Sequence, residues 1–523
     1  VERQIGEKHP GMFVSVSSRV AREIREYERT STTVANAYVQ PLADKYLDRL
    51  AGKMEGIGFG GSLYMMLSNG GIASLRSARE LPIRLVESGP AAGALVGGFY
   101  GGLVGERNVL AFDMGGTTAK ACMVEDGQPM TTYSFEAARV HRFRRGSGLP
   151  LKVPAIELME IGAGGGSIAH LDRMGLLKVG PESAGAEPGP ACYGRGGVDP
   201  TVTDADLLLG YLNPDYFLGG EMRLDLEAAR RAVREKVAGP LNVGEVEAAW
   251  GIHEIVNENM AGAARVHIAE KGRDPRKFVL VATGGAGPVH AYRVARKLQL
   301  RKIVCPLGAG VASTIGLLVA PPKVDLVHAY VARLEEIDWE RLRGIYREME
   351  ARAVATLREV GVAPSEVSLI RMADMRYVGQ GYEVVAAVPE GELGPERLAE
   401  MRESFEDAYR TLYERTLPTV EVEALNWRLF AYGPGTEAEG IAAGLRRRVA
   451  AAADGPPLKG HRPIYLGELG RFEAAAVYDR YRLRPGESYR GPAVVEERES
   501  TVLVGPDARF FVDDYQNLIV EMD

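Results

Sequence analysis

Apolar and polar positions change period repeatedly along the chain, and the changes predict a mixed α/β fold. Residues 19–50 read as helix, loop and helix, with Pro41 opening the second helix where its missing N–H costs little. Compact apolar runs predict strands at 63–67 and 81–86, and Ser88 stands where it would cap the helix that follows. Further strands are expected at 108–112 and 119–124, the second followed by an Asp126-Gly127 turn, and at 154–161, 168–171 and 176–179. Stretches with helical period cover 226–237, 246–271, 288–298, 339–360 and 395–416; in the second of these Ile252, Ile255, Ala263, Val266 and Ile268 are apolar. With strands at 277–282 and 302–305, the helix at 288–298 forms a βαβ unit expected to cross over right-handed. Residues 367–388 read as strand broken at Gly379-Gln380-Gly381, 450–463 as a linker, and 464–523 as short strands. Between 181 and 200 the chain is rich in Gly, Pro and Ala without period, and Thr203 or Asp204 is the expected cap of the short helix beyond.

Composition agrees with a packed architecture: 46% hydrophobic and 25% charged residues exclude disordered, collagenous and coiled-coil classes. Length alone, 523 residues, suggests three to five domains at roughly 100–200 residues each, or one two-lobed enzyme with an appendage. Lysine plus arginine (63) against aspartate plus glutamate (70) leaves −7, so no basic field awaits a phosphate backbone and nucleic acid is not an expected partner. Cys122, Cys192 and Cys305 are too few and too scattered for a disulfide framework or a zinc cage, which points to a reducing compartment, the cytoplasm. The opening Val1-Glu2-Arg3-Gln4 lacks the apolar core of a signal peptide, and a first residue other than Met leaves a processed chain, a shortened one or a fragment. Residues 88–105 and 304–322 are uncharged and of membrane-spanning length. Seven glycines in the first, and Pro306, Gly308, Gly310 and Pro321-Pro322 in the second, instead predict buried, glycine-faced helix against a sheet, with no membrane partner.

One segment has the look of a phosphate cradle: Asp113-Met114-Gly115-Gly116-Thr117-Thr118-Ala119-Lys120. A strand ends in a carboxylate, two glycines turn the backbone, and threonine hydroxyls stand beside exposed N–H groups. The next residues alternate as a strand, so an anion would sit on hairpin amides and not on a helix dipole. Asp113 beside phosphate oxygens needs help, because like charges at about 4 Å repel by roughly 4 kcal/mol at an effective dielectric near 20. A bridging Mg²⁺, or a water that Asp113 orients, removes the conflict. The other reading is an Asx-turn in a Gly-Gly hairpin.

A second strand, turn and helix start lies at Thr283-Gly284-Gly285-Ala286-Gly287-Pro288, where a ring or ribose could lie against the glycines. It does not match the dinucleotide fingerprint, and no P-loop pattern occurs in the chain. His290, just inside that helix, reads as a structural histidine before it reads as a base. Gly164-Gly165-Gly166-Ser167 fits either a phosphate or substrate contact or a plain hairpin turn. Asp204 and Asp206 are two apart on a helix and do not share a face, which argues against a carboxylate dyad. Cys192 has no histidine near it in sequence to make it a thiolate nucleophile, and no motif names a protein metal site.

Together with the Gly162–Ile168 turn, Ala184-Gly185-Ala186-Glu187-Pro188-Gly189-Pro190-Ala191-Cys192-Tyr193 and Asp374-Met375-Arg376-Tyr377-Val378-Gly379-Gln380-Gly381-Tyr382, these segments occur in the order found in the hydantoinase A and 5-oxoprolinase family. The chain resembles that family, which also includes ATP-binding subunits of acetone and acetophenone carboxylases, over nearly its whole length. The resemblance implies an actin-like ATPase fold, two ribonuclease-H-like lobes with a nucleotide between them. It further implies an additional C-terminal α+β region, ATP and Mg²⁺ as cofactors, and a large hydantoinase B-like partner subunit. On that pattern Gly115, Gly116, Thr117, Thr118 and Lys120 belong to the second phosphate loop, Asp113 is placed for Mg²⁺ or the attacking water, and Gly284, Gly285, Ala286 and Gly287 form the adenosine motif. The implied division is 1–107 as the rest of the first lobe with a helical lead-in and 108–330 as the second lobe. Residues 331–463 become an α+β domain and 464–523 a small β-rich segment. Family members open with an Asp-x-Gly-Gly-Thr hairpin that this sequence lacks, so the first phosphate loop is expected to be absent or supplied by another chain or segment.

The family uses ATP to activate unreactive carbonyls. A hydrolase would phosphorylate the oxygen of a cyclic amide of the hydantoin, N-methylhydantoin or 5-oxoproline type before ring opening. A ketone carboxylase subunit would work through a phosphorylated enolate and carboxyphosphate, and a third reading is a non-catalytic, nucleotide-responsive scaffold. The hydrolase is the first expectation, and the motifs themselves do not separate it from the carboxylase.

Overall fold

The computed structural model describes residues 2–137, 146–435, 438–449 and 455–523. The chain forms two compact units, each assembled from separated segments: 1–91, 131–155 and 320–436 in one, and 92–130, 156–319 and 437–523 in the other.

The second unit carries the glycine-rich turns. In chain order its main elements are α1 (Ser88–Leu103, from residue 92 on), β1 (Val109–Met114), β2 (Ala119–Glu125), β3 (Met159–Ile161), β4 (Ser167–Leu171) and β5 (Leu177–Ser183). There follow α2 (Val202–Leu208), α3 (Glu245–Glu270), β6 (Val279–Thr283), α4 (Gly287–Leu298) and β7 (Lys302–Cys305). The central sheet runs β3-β2-β1-β6-β7 and continues into Leu518–Met522, Ala508–Val512 and Ser488–Arg490. β1 is antiparallel to β2 but parallel to β6, with Val279 beside Val109 and Thr283 beside Asp113. Parallel strands end at the same edge, so the turns that leave β1 and β6 meet there. The expected βαβ unit is present, with β6 and β7 parallel and α4 between them in sequence.

Strand alternation gives the two faces of β1 different tasks. Leu110, Phe112 and Met114 join Leu280, Ala282, Ile252, Val256, Met260, Val289 and Val294 in the principal core. Val109, Ala111 and Asp113 turn instead toward α1, which meets them with glycine at every fourth residue. A Cβ on Gly101 would lie 2.5 Å from Val109 Cγ2, one on Gly97 would collide with Ala111, and one on Gly93 would stand 3.4 Å from Asp113 Oδ2. Each helical glycine costs about 1 kcal/mol relative to alanine, a cost repaid by backbone-close packing on the strand. The expected glycine-faced helix is thus present at Ser88–Leu103, whereas in 304–322 the helix is the short Ser313–Val319, with Gly316 buried but Leu317 and Leu318 exposed; no helix among the described residues is long and apolar enough to cross a membrane.

The first unit has an antiparallel sheet in the order Lys323–Arg333, Val422–Tyr432, Ser368–Tyr377 and Val384–Ala387. Helices Trp339–Arg358 and Leu398–Tyr413 close its core around Trp427, Tyr346, Phe405 and Tyr377. Within the Asp374–Tyr382 motif, Asp374 is buried and accepts from Arg428 at 2.6 and 2.7 Å and from Asn426 at 2.8 Å, a structural ion pair.

Three sequence expectations are corrected. Residues 26–56 form one helix with Pro41 inside it, where two helices were expected. An interior proline costs roughly 3 kcal/mol. Asn36, buried just before it, donates to Ser15 Oγ and the Glu80 carbonyl and accepts from the Ile83 N–H, which anchors the helix through the proline. Residues 81–86 are a 3₁₀ turn, Pro82–Leu85, because Pro82 sits at its start with φ already helical. Of the expected linker, 450–454 lie outside the described residues, while Leu458–Leu466 is a strand paired antiparallel with Arg471–Asp479.

Candidate functional site

Asp113 stands half-buried near the end of β1, opposite Lys120 across the hairpin. The turn between them is closed by the Gly115 N–H on the Thr118 carbonyl at 3.1 Å. Gly116 and Thr117 form its exposed tip, and their N–H groups donate to no partner among the described residues. A Cβ on Gly115 or Gly116 would meet nothing within 4 Å, and neither residue has positive φ. The fold therefore does not require glycine at either position; what glycine provides is bare, approachable backbone. Burial raises the Asp113 pKa above the usual carboxylate range, an effect that Lys120 opposes.

The Gly284–Gly287 turn meets the same place from β6. Gly284 has φ +83°, and a Cβ there would collide with the Met114 carbonyl and lie 2.5 Å from Asp113 Oδ1. The Ala286 N–H donates to that carbonyl at 3.0 Å, and the Gly284 N–H to Ala309 at 2.9 Å. Gly285 is exposed, with the Glu499 carbonyl 3.6 Å from where its Cβ would be, and Gly287 opens α4.

Gly164, Gly165, Gly166 and Ser167 also converge here, but from beneath and fully buried. Every N–H of this turn is engaged: Gly164 on Ser167 Oγ (2.9 Å), Gly165 on the Gly115 carbonyl (3.1 Å), Gly166 on that of Gly116 (2.6 Å), and Ser167 on that of Gly164 (3.0 Å). A Cβ on Gly164 would lie 2.7 Å from the Gly116 carbonyl carbon and oxygen. The sequence offered a phosphate or substrate contact as one reading of this turn; with its donors engaged, it stands as a prop for the Gly116 tip.

The prop is itself held by α2. Thr203 donates to the Gly165 carbonyl through both N–H and Oγ1, each at 2.8 Å. The cap of α2 is Thr201, where Thr203 or Asp204 was expected, and Asp204 completes a capping box. Asp204 also accepts from the Ala191 and Cys192 N–H groups at 3.2 and 2.7 Å, so its carboxylate organises the 181–200 loop. Cys192 is buried, and desolvation, together with Asp204, pushes its thiol pKa far up, against any thiolate role. Ser183, at the head of the loop, brings its hydroxyl within 3.5 Å of Thr117 Oγ1.

One constellation escaped the sequence reading. Asp206 does not pair with Asp204; it reaches His253 of α3 at 2.7 Å and His290 of α4 at 3.2 Å, all three buried. Burial opposes ionisation of Asp206, yet the two imidazoles outweigh it and hold the pKa at about 2. The three lie 47 and 37 residues apart in the chain, a spacing that no local motif marks. Cavities of about 280 Å³ at Arg301 and Arg509, and of about 510 Å³ at His170 and Asn259, do not touch Asp113 or the three glycine turns.

A family model described as hydantoinase/oxoprolinase matches residues 29–325, and one described as the hydantoinase/oxoprolinase C-terminal domain matches 333–521. The alpha subunit of caprolactamase from Pseudomonas jessenii is 35% identical over 509 residues, which are 96% of this chain and 71% of that protein. The acetophenone carboxylase gamma subunit of Aromatoleum aromaticum is 32% identical over 548 residues, 100% of this chain and 71% of the relative. Among solved structures, the ATP-dependent caprolactamase from Pseudomonas jessenii superposes with a TM-score of 0.83 at 32% identity, covering 100% of this chain and 74% of that one.

Proposed function

Since the chain belongs to the hydantoinase/oxoprolinase family and has the actin-like ATPase fold, we propose that it is the ATP-binding subunit of an amidohydrolase that opens a cyclic amide of the hydantoin, N-methylhydantoin or 5-oxoproline type. One observation carries the reading: in the exposed turn that follows Asp113, where β1 and β6 end together, the N–H groups of Gly116 and Thr117 donate to no partner among the described residues.

Those N–H groups, with the Thr117 and Thr118 hydroxyls and Lys120, bind the oxygens of the nucleotide's terminal phosphates. Gly284, Gly285, Ala286 and Gly287 receive the adenosine. Asp113 is the residue that would hold Mg²⁺, directly or through water. Bound Mg²⁺ supplies the charge that lets a carboxylate and a polyphosphate share one pocket. Transfer of the terminal phosphoryl group to the amide oxygen makes the ring carbon electrophilic, and water then opens the ring. A hydantoinase B-like large subunit completes the active complex.

A second reading, the ATP-binding subunit of a ketone carboxylase, rests on the 32% identity to the acetophenone carboxylase gamma subunit across this whole chain. Phosphate release by the reconstituted complex separates the two. Stimulation by hydantoin or 5-oxoproline supports the hydrolase; stimulation only by bicarbonate with a ketone replaces it with the carboxylase; turnover with neither leaves a scaffold. In the active complex, Asp113→Asn should abolish turnover while the far-ultraviolet circular dichroism stays that of the parent. Unchanged turnover removes Asp113 from the mechanism.

A further inference from the structure

Behind the glycine turns, Asp206, His253 and His290 come from three different helices, α2, α3 and α4, and their donor atoms lie within 4.8 Å of one another. His253 and His290 are fully buried and Asp206 is nearly so. Hydrogen bonding fixes which imidazole atom of His290 is available. Asn257 donates its Nδ2 to the His253 carbonyl at 2.8 Å, so its Oδ1 is the atom that faces His290 Nδ1 at 3.1 Å. An oxygen there requires a proton on Nδ1. In the neutral ring, His290 Nε2 is then a lone pair, 3.2 Å from Asp206 Oδ2 and without a hydrogen-bond partner. His253 Nδ1 approaches the other oxygen of the same carboxylate at 2.7 Å. His290 Nε2 and Asp206 Oδ2, two electron-rich atoms facing each other in a dry interior, call for a positive centre between them.

We propose that Asp206, His253 Nδ1 and His290 Nε2 bind one divalent transition cation of the zinc class, at a site separate from the Asp113 nucleotide site. Two imidazoles and a carboxylate are a donor set that zinc accepts. Donors about 2.0–2.1 Å from a tetrahedral ion are roughly 3.4 Å apart, so the spread seen here closes with shifts on the order of 1 Å. Asn257 plays the part of the outer carbonyl that orients a metal-bound histidine through its second nitrogen. On binding, the proton of His253 Nδ1 leaves or moves to Nε2, which is buried and unpartnered. The ion would bolt together the helix whose Thr203 holds Gly165 and the helix that starts at Gly287. It does not depend on the proposed reaction.

The test is metal content, with no nucleotide or substrate added. The full chain is incubated with zinc, desalted and measured by elemental analysis, and a crystal is examined for an anomalous peak at the zinc edge. About one equivalent per chain is expected, with its peak among the three side chains and a lower melting temperature after chelation. His290→Gln and Asp206→Asn, folded by circular dichroism, should each lose most of that equivalent. A folded parent chain that holds less than about 0.1 equivalent, an anomalous peak elsewhere, or a zinc content that the two substitutions leave unchanged would overturn the site in favour of a proton shared between Asp206 and His290. Should the variants not fold, the position of the peak in the parent chain decides alone.

Discussion

Two glycine turns lie against each other in the second unit and use glycine for opposite reasons. At Gly164–Ser167 the missing side chains let one backbone rest on another, and every N–H is engaged within the protein. At Gly115–Thr118 no neighbour forbids a side chain at either glycine, and the N–H groups of Gly116 and Thr117 engage no partner among the described residues. The first pattern is that of a support. The second is that of a surface awaiting a partner, and the partner that two amides and two hydroxyls suit is an anion. Sequence alone makes the two turns look alike; the distinction rests on where the hydrogen bonds go.

Substitutions can break or sharpen this contrast. The largest effect should come from Gly164→Ala, whose methyl would lie 2.7 Å from the Gly116 carbonyl. A loss of about 1–3 kcal/mol is expected in denaturant unfolding without ligand. Unfolding that matches the parent, with only ATP affinity reduced, would make this turn a ligand contact after all. Gly116→Val should do the reverse, leaving unfolding within about 0.5 kcal/mol while weakening ATP binding by roughly tenfold or more, measured by calorimetry. If binding survives, the free amides are not the phosphate contact. Thr203→Val removes one of the two bonds to the Gly165 carbonyl and keeps the shape. It should cost about 1 kcal/mol of stability, with a smaller change in affinity than at Gly116.

The smallest effect is one of sign. Burial raises the folded-state pKa of Asp113, so the folded protein holds this proton more tightly than the unfolded chain. Stability from this group is therefore lost as pH rises from the ordinary carboxylate value through the raised one. Asp113→Asn, without that dependence, should melt above the parent near neutral pH, with the advantage fading as pH falls toward 3, below the ordinary carboxylate value of about 3.9. A difference that does not vary with pH would refute the burial argument.

What the sequence made legible was local. Alternation located β1, β2 and β6 to within a residue or two, and Lys302–Cys305 in full, because buried strands bounded by turn residues carry their own signal. The glycine run at 88–105 announced a helix pressed on a sheet. Pro41 misled because long-range anchoring through Asn36 outweighs the local cost of proline, and 81–86 misled because an apolar run this short does not choose between strand and 3₁₀ turn. At the site, the resemblance supplied the glycine motifs. It did not reveal that Thr201 caps α2, that Thr203 holds the prop, or that Asp206 turns away from Asp204 to meet two histidines. Each of these depends on partners tens of residues away, brought near only by the finished sheet.

The bare stripe of α1 has a mechanical corollary. With hydrogen atoms where side chains would be, the gap between helix and strand has no compressible layer, and Asp113 stands at the open end of that seam. A side chain added to this stripe would therefore have to push the helix off the strand. The stripe thus ties the position of the Asp113 carboxylate to the seating of this helix on β1.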